Sequence, residues 1–420
     1  MRYFKKQLVI ILYLFGFFET VNGQDINEKS LDLNYFIGMA LSSNPLVKDY
    51  HNQLLANKID SMRLKAGYLP QVSASSTGLY APILNGYGYD EVITNGQSLD
   101  ALLTLNYALT GNRIKNNQAE VIHLQRDSIN YASRLSELDL RKTITEQYIT
   151  AYASQQQVEF NRDIYQLLKN EESILLKLTR ANTYTQTEYL TFLVTFKQQQ
   201  LQYKQAELQF KNDFSMLNYL CGINDTTSLE LREPVLNRNL TKLPFQSFFT
   251  KRFEIDSLLT LNERKSIALS YKPKVSVYLN GGYNSSFNLQ PYKNFGTSAG
   301  FTISVPIYDG HQKKMQYNRL YLKARTSTAY RAFFLKQHKQ QVDMLNQQIT
   351  ATEGLYQQIT AQLKFTRGLI EVDSKLLHTG DIKITDFVIA ISNYMATQNL
   401  YRQTTINRLK LISQVNYWNR

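Results

Sequence analysis

Between Asn112 and Cys221 the chain contains neither glycine nor proline, and after Pro306 it contains no further proline. A helix interior excludes both: proline lacks the N–H and clashes with the preceding turn, and glycine loses too much backbone freedom. Each stretch follows a short alternating segment that ends in a glycine turn. These segments are Leu103-Thr-Leu-Asn-Tyr-Ala-Leu-Thr-Gly111 and Phe301-Thr-Ile-Ser-Val-Pro-Ile-Tyr-Asp-Gly310. The pattern predicts strand, turn, very long helix, and then the same again.

The duplication is visible in the residues themselves. A shift of 198 lays Leu178–Tyr219 on Leu376–Tyr417 without a gap, bringing Thr187-Glu188 onto Thr385-Asp386 and Asn218-Tyr219 onto Asn416-Tyr417. The same shift carries Leu103, Leu105 and Tyr107 onto Phe301, Ile303 and Val305. Upstream, a shift of 203 places Tyr68, Pro70, Val72, Gly78 and Tyr80 on Tyr271, Pro273, Val275, Gly281 and Tyr283. The change of shift marks a length difference between strands, where loops vary. The chain therefore divides into a first repeat over 24–222, a linker over 223–250 carrying Pro234 and Pro244, and a second repeat over 251–420.

Residues 1–23 stand apart. Arg2, Lys5 and Lys6 precede the apolar Leu8-Val-Ile-Ile-Leu-Tyr-Leu-Phe, and Val21-Asn-Gly23 offers small residues for cleavage before Gln24. This is the pattern of an export signal, with a membrane anchor as the alternative reading. The rest of the chain has no apolar run long enough for a transmembrane helix. The single cysteine, Cys221, excludes an internal disulfide framework, and the five histidines show no metal-ligand spacing. A net charge of +13 is read against nucleic acid as a partner, because an exported chain does not meet it routinely. No phosphate loop, zinc spacing or serine elbow is present, so no catalytic, cofactor-binding or metal residue is assigned.

Each repeat reads helix, strand, strand, long helix, helix. In the first, Ser30 is the candidate N-cap of an opening helix that Asn44-Pro45 interrupts; Leu69–Tyr80 is the first strand, and the second lies near 101–110. A helix from Asn112 to about Arg180 would reach ~100 Å at 1.5 Å per residue, so it must lie along other helices. Phe196, Tyr203, Phe210 and Leu217 recur every seven residues as a coiled-coil seam. The helices alone also fit a plain coiled-coil rod. The strands separate the readings: Phe301, Ile303, Val305 and Ile307 alternate with polar or small residues, as in a strand with lipid on one side and water on the other. Four such strands are too few to enclose a passage, which predicts an oligomer.

Three stretches make the chain resemble the TolC-like outer-membrane efflux protein family over nearly all of its mature length. Ala40-Leu-Ser-Ser-Asn-Pro45 with Gly67-Tyr-Leu-Pro-Gln71 looks like the family's opening helix and first strand. Val305-Pro-Ile-Tyr-Asp-Gly310 looks like its strand-to-helix turn, and Thr379-Gly380 with Thr385-Asp386-Phe387 like the turn at the periplasmic tip. The resemblance implies an α+β membrane protein that forms a homotrimer. Each subunit would give four transmembrane β-strands to a shared 12-stranded barrel in outer-membrane lipid, and long helices to a periplasmic tunnel. It further implies an exit duct in a tripartite efflux or type I secretion system, with a periplasmic membrane-fusion adaptor and an inner-membrane pump of RND or ABC type. Adaptor contacts would fall on the tip turns Asn182, Thr183, Tyr184, Gly380, Asp381 and Ile382. Thr187, Glu188, Thr385 and Asp386 would stand near the periplasmic entrance, where Glu188 and Asp386 also read as helix-start carboxylates. Asn182 replaces the tip glycine of the first repeat, Tyr107-Ala108 replaces a common strand proline, and Ile389 and Thr191 occupy places where a further carboxylate is found in some members. The alternative is a periplasmic coiled-coil scaffold or adaptor with no membrane barrel.

Overall fold

A computed structural model describes residues 31–109, 111–225, 227–238, 247–287 and 290–420. The export segment 1–23, Ser30 and Pro244 lie outside these residues. The first glycine- and proline-free stretch folds as two helices, α4 over Asn112–Arg180 and α5 over Gln186–Cys221. With 69 residues, α4 is about 100 Å long. In the second half, α7 (Gln312–Thr379) and α8 (Ile384–Trp418) form the matching pair, with 68 and 35 residues.

Shorter elements precede each pair. Helices α1 (Leu33–Ser43) and α2 (Pro45–Gly67) meet at Asn44, whose side chain accepts from the Leu46 N–H while Pro45 takes the first helical position, where its missing N–H costs nothing. The cap of α1 is Asp32 instead of Ser30: its carboxylate accepts from the Tyr35 N–H at 2.9 Å. Strand β1 (Gln71–Tyr80), a one-turn helix α3 (Glu91–Thr94) and β2 (Gln97–Ala108) follow. Between them, Asn85 and Gly86 both take left-handed backbone in a tight turn closed by Leu84 and Tyr87. A 3₁₀ turn at Phe248–Thr250 leads into α6 (Lys251–Ser270), then β3 (Lys274–Ser285) and β4 (Phe295–Ser304).

The four strands form one antiparallel sheet in the order β1-β2-β3-β4. Two strand ends differ from the sequence expectation. β1 starts at Gln71, after Pro70, instead of Leu69. β4 stops at Ser304, so Val305 and Ile307 lie beyond the ladder. Pro306 has no N–H to donate. Where the first half has Tyr107-Ala108 instead, β2 continues and pairs Tyr107 with Val277 and Ala108 with Ser276.

Three buried clusters hold the helices together. Nearest the turns between paired helices, Leu168 and Leu175 of α4, Phe192 of α5, Leu377 of α7 and Phe387 of α8 are wholly buried together. Fully burying each such side chain is worth about 1.5–3 kcal/mol. A second cluster packs Phe36 of α1 against Tyr148 of α4 and Phe214 of α5, with Cys221 and Leu231. The third joins Leu345 and Ile349 of α7 to Ile412 and Val415 of α8. The chain after α5 crosses these clusters. Leu231 is clamped by the Gln155 amide, Tyr148 Oη lies 2.9 Å from the Leu31 carbonyl and 2.6 Å from that of Arg232, and Arg238 reaches Asn346 of α7 at 2.9 Å. Burial pushes the Cys221 thiol up to about 12, which keeps it unreactive.

Candidate functional site

Strand register fixes what each face of the sheet carries, because residues directly opposite one another point to the same side. On one face Val72 lies opposite Leu105, Leu105 opposite Leu279, and Leu279 opposite Ala299. Tyr107, Val277 and Phe301 form a second row on that face, and Tyr283 and Phe295 a third at the far end. The other face carries Ser73, Thr104, Asn280 and Ser298 in one row, and Asn106, Tyr278 and Gly300 in another. Gly300 leaves room there for the Tyr278 ring, which fills the space a Cβ would take. The sheet is therefore apolar on one side and polar on the other. Leu103, Leu279, Phe295 and Phe301 of the apolar side are all exposed. Among the described residues both edge strands, β1 and β4, pair on one side only. Among the described residues no helix is long and apolar enough to cross a membrane.

At the opposite end of the helices are two turns. Asn182 and Gly380, related by the 198-residue shift, both take left-handed backbone, with φ of 62° and 82°. Asparagine tolerates this region better than most residues, and glycine has no Cβ to oppose it. The turns touch: a Cβ on Gly380 would lie 2.7 Å from Thr183 Cγ2. Tyr184 is turned inward, 7% exposed, with its hydroxyl 2.8 Å from the Leu377 carbonyl and 3.0 Å from that of Ile382. Of the six tip residues, Asn182, Thr183, Gly380 and Asp381 face outward or frame the turn, while Tyr184 and Ile382 hold the turns together.

The four entrance candidates divide. Thr187 is exposed, and Glu188 closes a capping box: its carboxylate accepts from the Thr185 N–H at 3.0 Å and from the Thr185 hydroxyl at 2.9 Å, and Thr185 Oγ1 accepts from the Glu188 N–H. Thr385 and Asp386 are exposed on the first turn of α8, whose N-cap Lys383 makes no side-chain bond. Glu188 is thus engaged as a helix-start carboxylate, and Asp386 is the freer of the two. Ile389 is exposed, and Thr191 bonds back to the Thr187 carbonyl.

One cluster was not anticipated. Glu171 of α4 is only 4% exposed, accepts from Ser374 Oγ of α7 at 2.7 Å and lies 2.7 Å from His378 Nε2. Asp373, one residue along α7, is also buried. Burial raises its carboxyl above the usual range, and nearby Asp386 adds to the rise. Ser374 and His378 share a helix face at i, i+4, but their partner lies some 200 residues away in sequence, so no local pattern announces it. With Tyr184, this cluster ties the first helix pair to the second beside the turns.

An amphipathic open sheet at one end and a double helical hairpin at the other is an arrangement shared with known structures. Vibrio cholerae outer membrane protein VceC superposes with a TM-score of 0.74 at 13% identity, covering 92% of this chain and 96% of that one. The chain has the TolC-like outer-membrane channel fold. The open state of the Neisseria gonorrhoeae MtrE outer membrane channel matches with a TM-score of 0.75 at 11% identity, over 92% of this chain and 88% of that one. The Campylobacter jejuni CmeC outer membrane channel matches at 0.71 and 13%, over 92% and 85%. No family model and no curated protein sequence matches the chain. Such a channel fold at such low identity rests on helix length and strand alternation more than on particular side chains.

Proposed function

We propose that this chain is the outer-membrane exit duct of a tripartite efflux or type I secretion system. It would act as a homotrimer that closes a 12-stranded barrel in outer-membrane lipid and extends a helical tunnel into the periplasm. The observation that carries the reading is the open, two-faced sheet. Its apolar face and its two unpaired edges are both unstable in water, and lipid together with neighbouring copies would satisfy them. The helices agree. Leu190, Val194, Leu201 and Leu208 form an exposed apolar stripe on one face of α5. Phe365, Leu369, Val372 and Leu376 form another on α7. Counted from the tip turns the stripes overlap in height, as side-by-side contacts between copies require. A scaffold without a barrel would leave the sheet face and both stripes uncovered.

In this reading the two halves are a duplication, and the tip turns dock a periplasmic adaptor that couples the duct to an inner-membrane pump of RND or ABC type. Tunnel opening is a shift between two arrangements of the helix pairs, which the bonds at Tyr184 and Glu171 bias toward the closed one. Conductance in a planar bilayer tests this. The purified protein should give discrete channels, and Glu188→Ala combined with Asp386→Ala should raise conductance and weaken cation preference. Channels unchanged by the double substitution would confine both carboxylates to helix starts, and the absence of any channel would contradict the duct.

A further inference from the structure

The four longer helices that adjoin the sheet, α2, α4, α6 and α7, meet it at one rim. β1 starts at Gln71 opposite Asn106, near the end of β2, and β3 starts at Lys274 opposite Ser304, the end of β4. The C-termini of α2 and α6 and the N-termini of α4 and α7 therefore arrive together. This rim is densely basic. Arg113 and Lys115 lie in the first turn of α4, Lys313 and Lys314 in the first turn of α7, and Lys265 and Lys272 at the end of α6, all exposed. Of the carboxylates at this level, Glu263 pairs with Lys323 at 2.9 Å, and Asp309 accepts from the Lys313 N–H and is held below the usual carboxylate range by the Tyr271 hydroxyl, while Glu120, exposed on α4, shares a cleft with Arg113, Lys265 and Lys272 and leaves it a cationic excess.

Local stability does not explain these charges. Cations in a first turn oppose the positive end of the helix dipole. Both long helices carry them there, with no acidic residue in the first turn and no side-chain cap at Gly111 or His311. Among the described residues none of the six cations forms an ion pair. Lys115 and Lys313 instead stand over the rings of Tyr68 and Tyr271, at 5.8 and 5.0 Å from their centroids. On the sheet side of the cations, Leu69, Leu109, Ile307 and Tyr308 are exposed, Ile307 at 96%. The order from sheet to helix is apolar strand face, apolar and aromatic collar, cation. A lipid monolayer presents acyl chain, interface and phosphate in the same order.

Arg113, Lys265 and Lys272 also line one cleft of about 700 Å³ between α4 and α6. Asn262 borders it, 3% exposed; its amide nitrogen donates to the Asn117 carbonyl at 3.2 Å, and its buried Oδ1 has no hydrogen-bond partner among the described residues. We propose that this rim binds anionic phospholipid of the periplasmic leaflet, with Arg113, Lys265 and Lys272 holding the phosphate of one headgroup in the cleft and Lys115, Lys313 and Lys314 extending the same field around the barrel base. The inference rests on the outer-membrane reading above.

Native mass spectrometry of the full mature protein in mild detergent tests it, after equilibration with equal amounts of phosphatidylglycerol, phosphatidylethanolamine and phosphatidylcholine. Phosphatidylglycerol should be retained about tenfold over either zwitterionic lipid, the scale expected of a few juxtamembrane cations. The Arg113→Gln, Lys265→Gln, Lys272→Gln variant should fall to parity with its assembly mass and circular dichroism unchanged. A control variant with Lys336→Gln and Lys339→Gln, far along α7, should keep the preference. Equal retention by the native protein, preference surviving in the triple variant, or displacement of the lipid by millimolar inorganic phosphate would overturn the assignment. Insertion into pure phosphatidylcholine vesicles reads the duct separately. Insertion without headgroup preference removes this inference alone, whereas failure to insert in any vesicle removes the duct reading and this inference with it.

Discussion

Asp373 sits buried on α7 with Asp386 nearby, and burial first, then the neighbouring Asp386 charge, make its ionised form costly. Its folded-state pKa is raised above the unfolded value, so the folded state holds the proton more tightly. The resulting stability is fully present below the unfolded pKa and is lost as pH rises through the folded one. Asp373→Asn should therefore protect the tip helices at neutral pH, with the gain over wild type shrinking to nothing in acid. Hydrogen exchange of α7 and α8 at matched pH values checks this; a pH-independent difference, or a loss of protection, would contradict it. At this scale sequence reading is uneven. Asn182 and Gly380 can be recognised as paired left-handed turn residues because that conformation admits few side chains. The Glu171, Ser374 and His378 contact cannot, since it exists only once separate helices are packed. Tyr184 reads as a surface turn residue, and only the meeting of the two turns makes it a buried clip.

The helices are the most legible elements. Their interiors exclude glycine and proline, so the start of α4 at Asn112 is legible without coordinates, and its end near Arg180 follows from Asn182 standing where Gly380 stands under the 198-residue shift. Strands are legible in alternation and less so in extent. β4 stops at Ser304, before Pro306 and three residues short of Ile307, β2 starts before the expected segment, and the cap of α1 falls at Asp32. These ends depend on which backbone groups find partners, and local pattern constrains that weakly. The two faces of the sheet make a sharp prediction. Leu279→Lys, mid-sheet on the apolar side, should cost about 2–4 kcal/mol in the assembled state. Thr104→Lys, opposite Asn280 on the polar side, should be nearly neutral. Denaturant titration of the protein folded in detergent micelles distinguishes them, and equal penalties would mean the faces do not meet different solvents.

For the whole molecule, the unsatisfied features all have one solution. The sheet has two open edges, the helices have two apolar stripes that overlap in height, and the turns at the far end are tied across the two halves. A single copy exposes all of this surface; the proposed ring of copies would cover it. The crossing of the linker from the first helix pair to the second was not legible, because Leu231 and Arg238 find their sites only after both pairs exist. The most direct test is the native mass of the mature protein extracted in detergent from isolated outer membranes. Three subunits in that fraction are predicted, because three sets of four strands make the proposed barrel. A monomer or dimer in the soluble periplasmic fraction would contradict the shared barrel and leave a helical scaffold in its place.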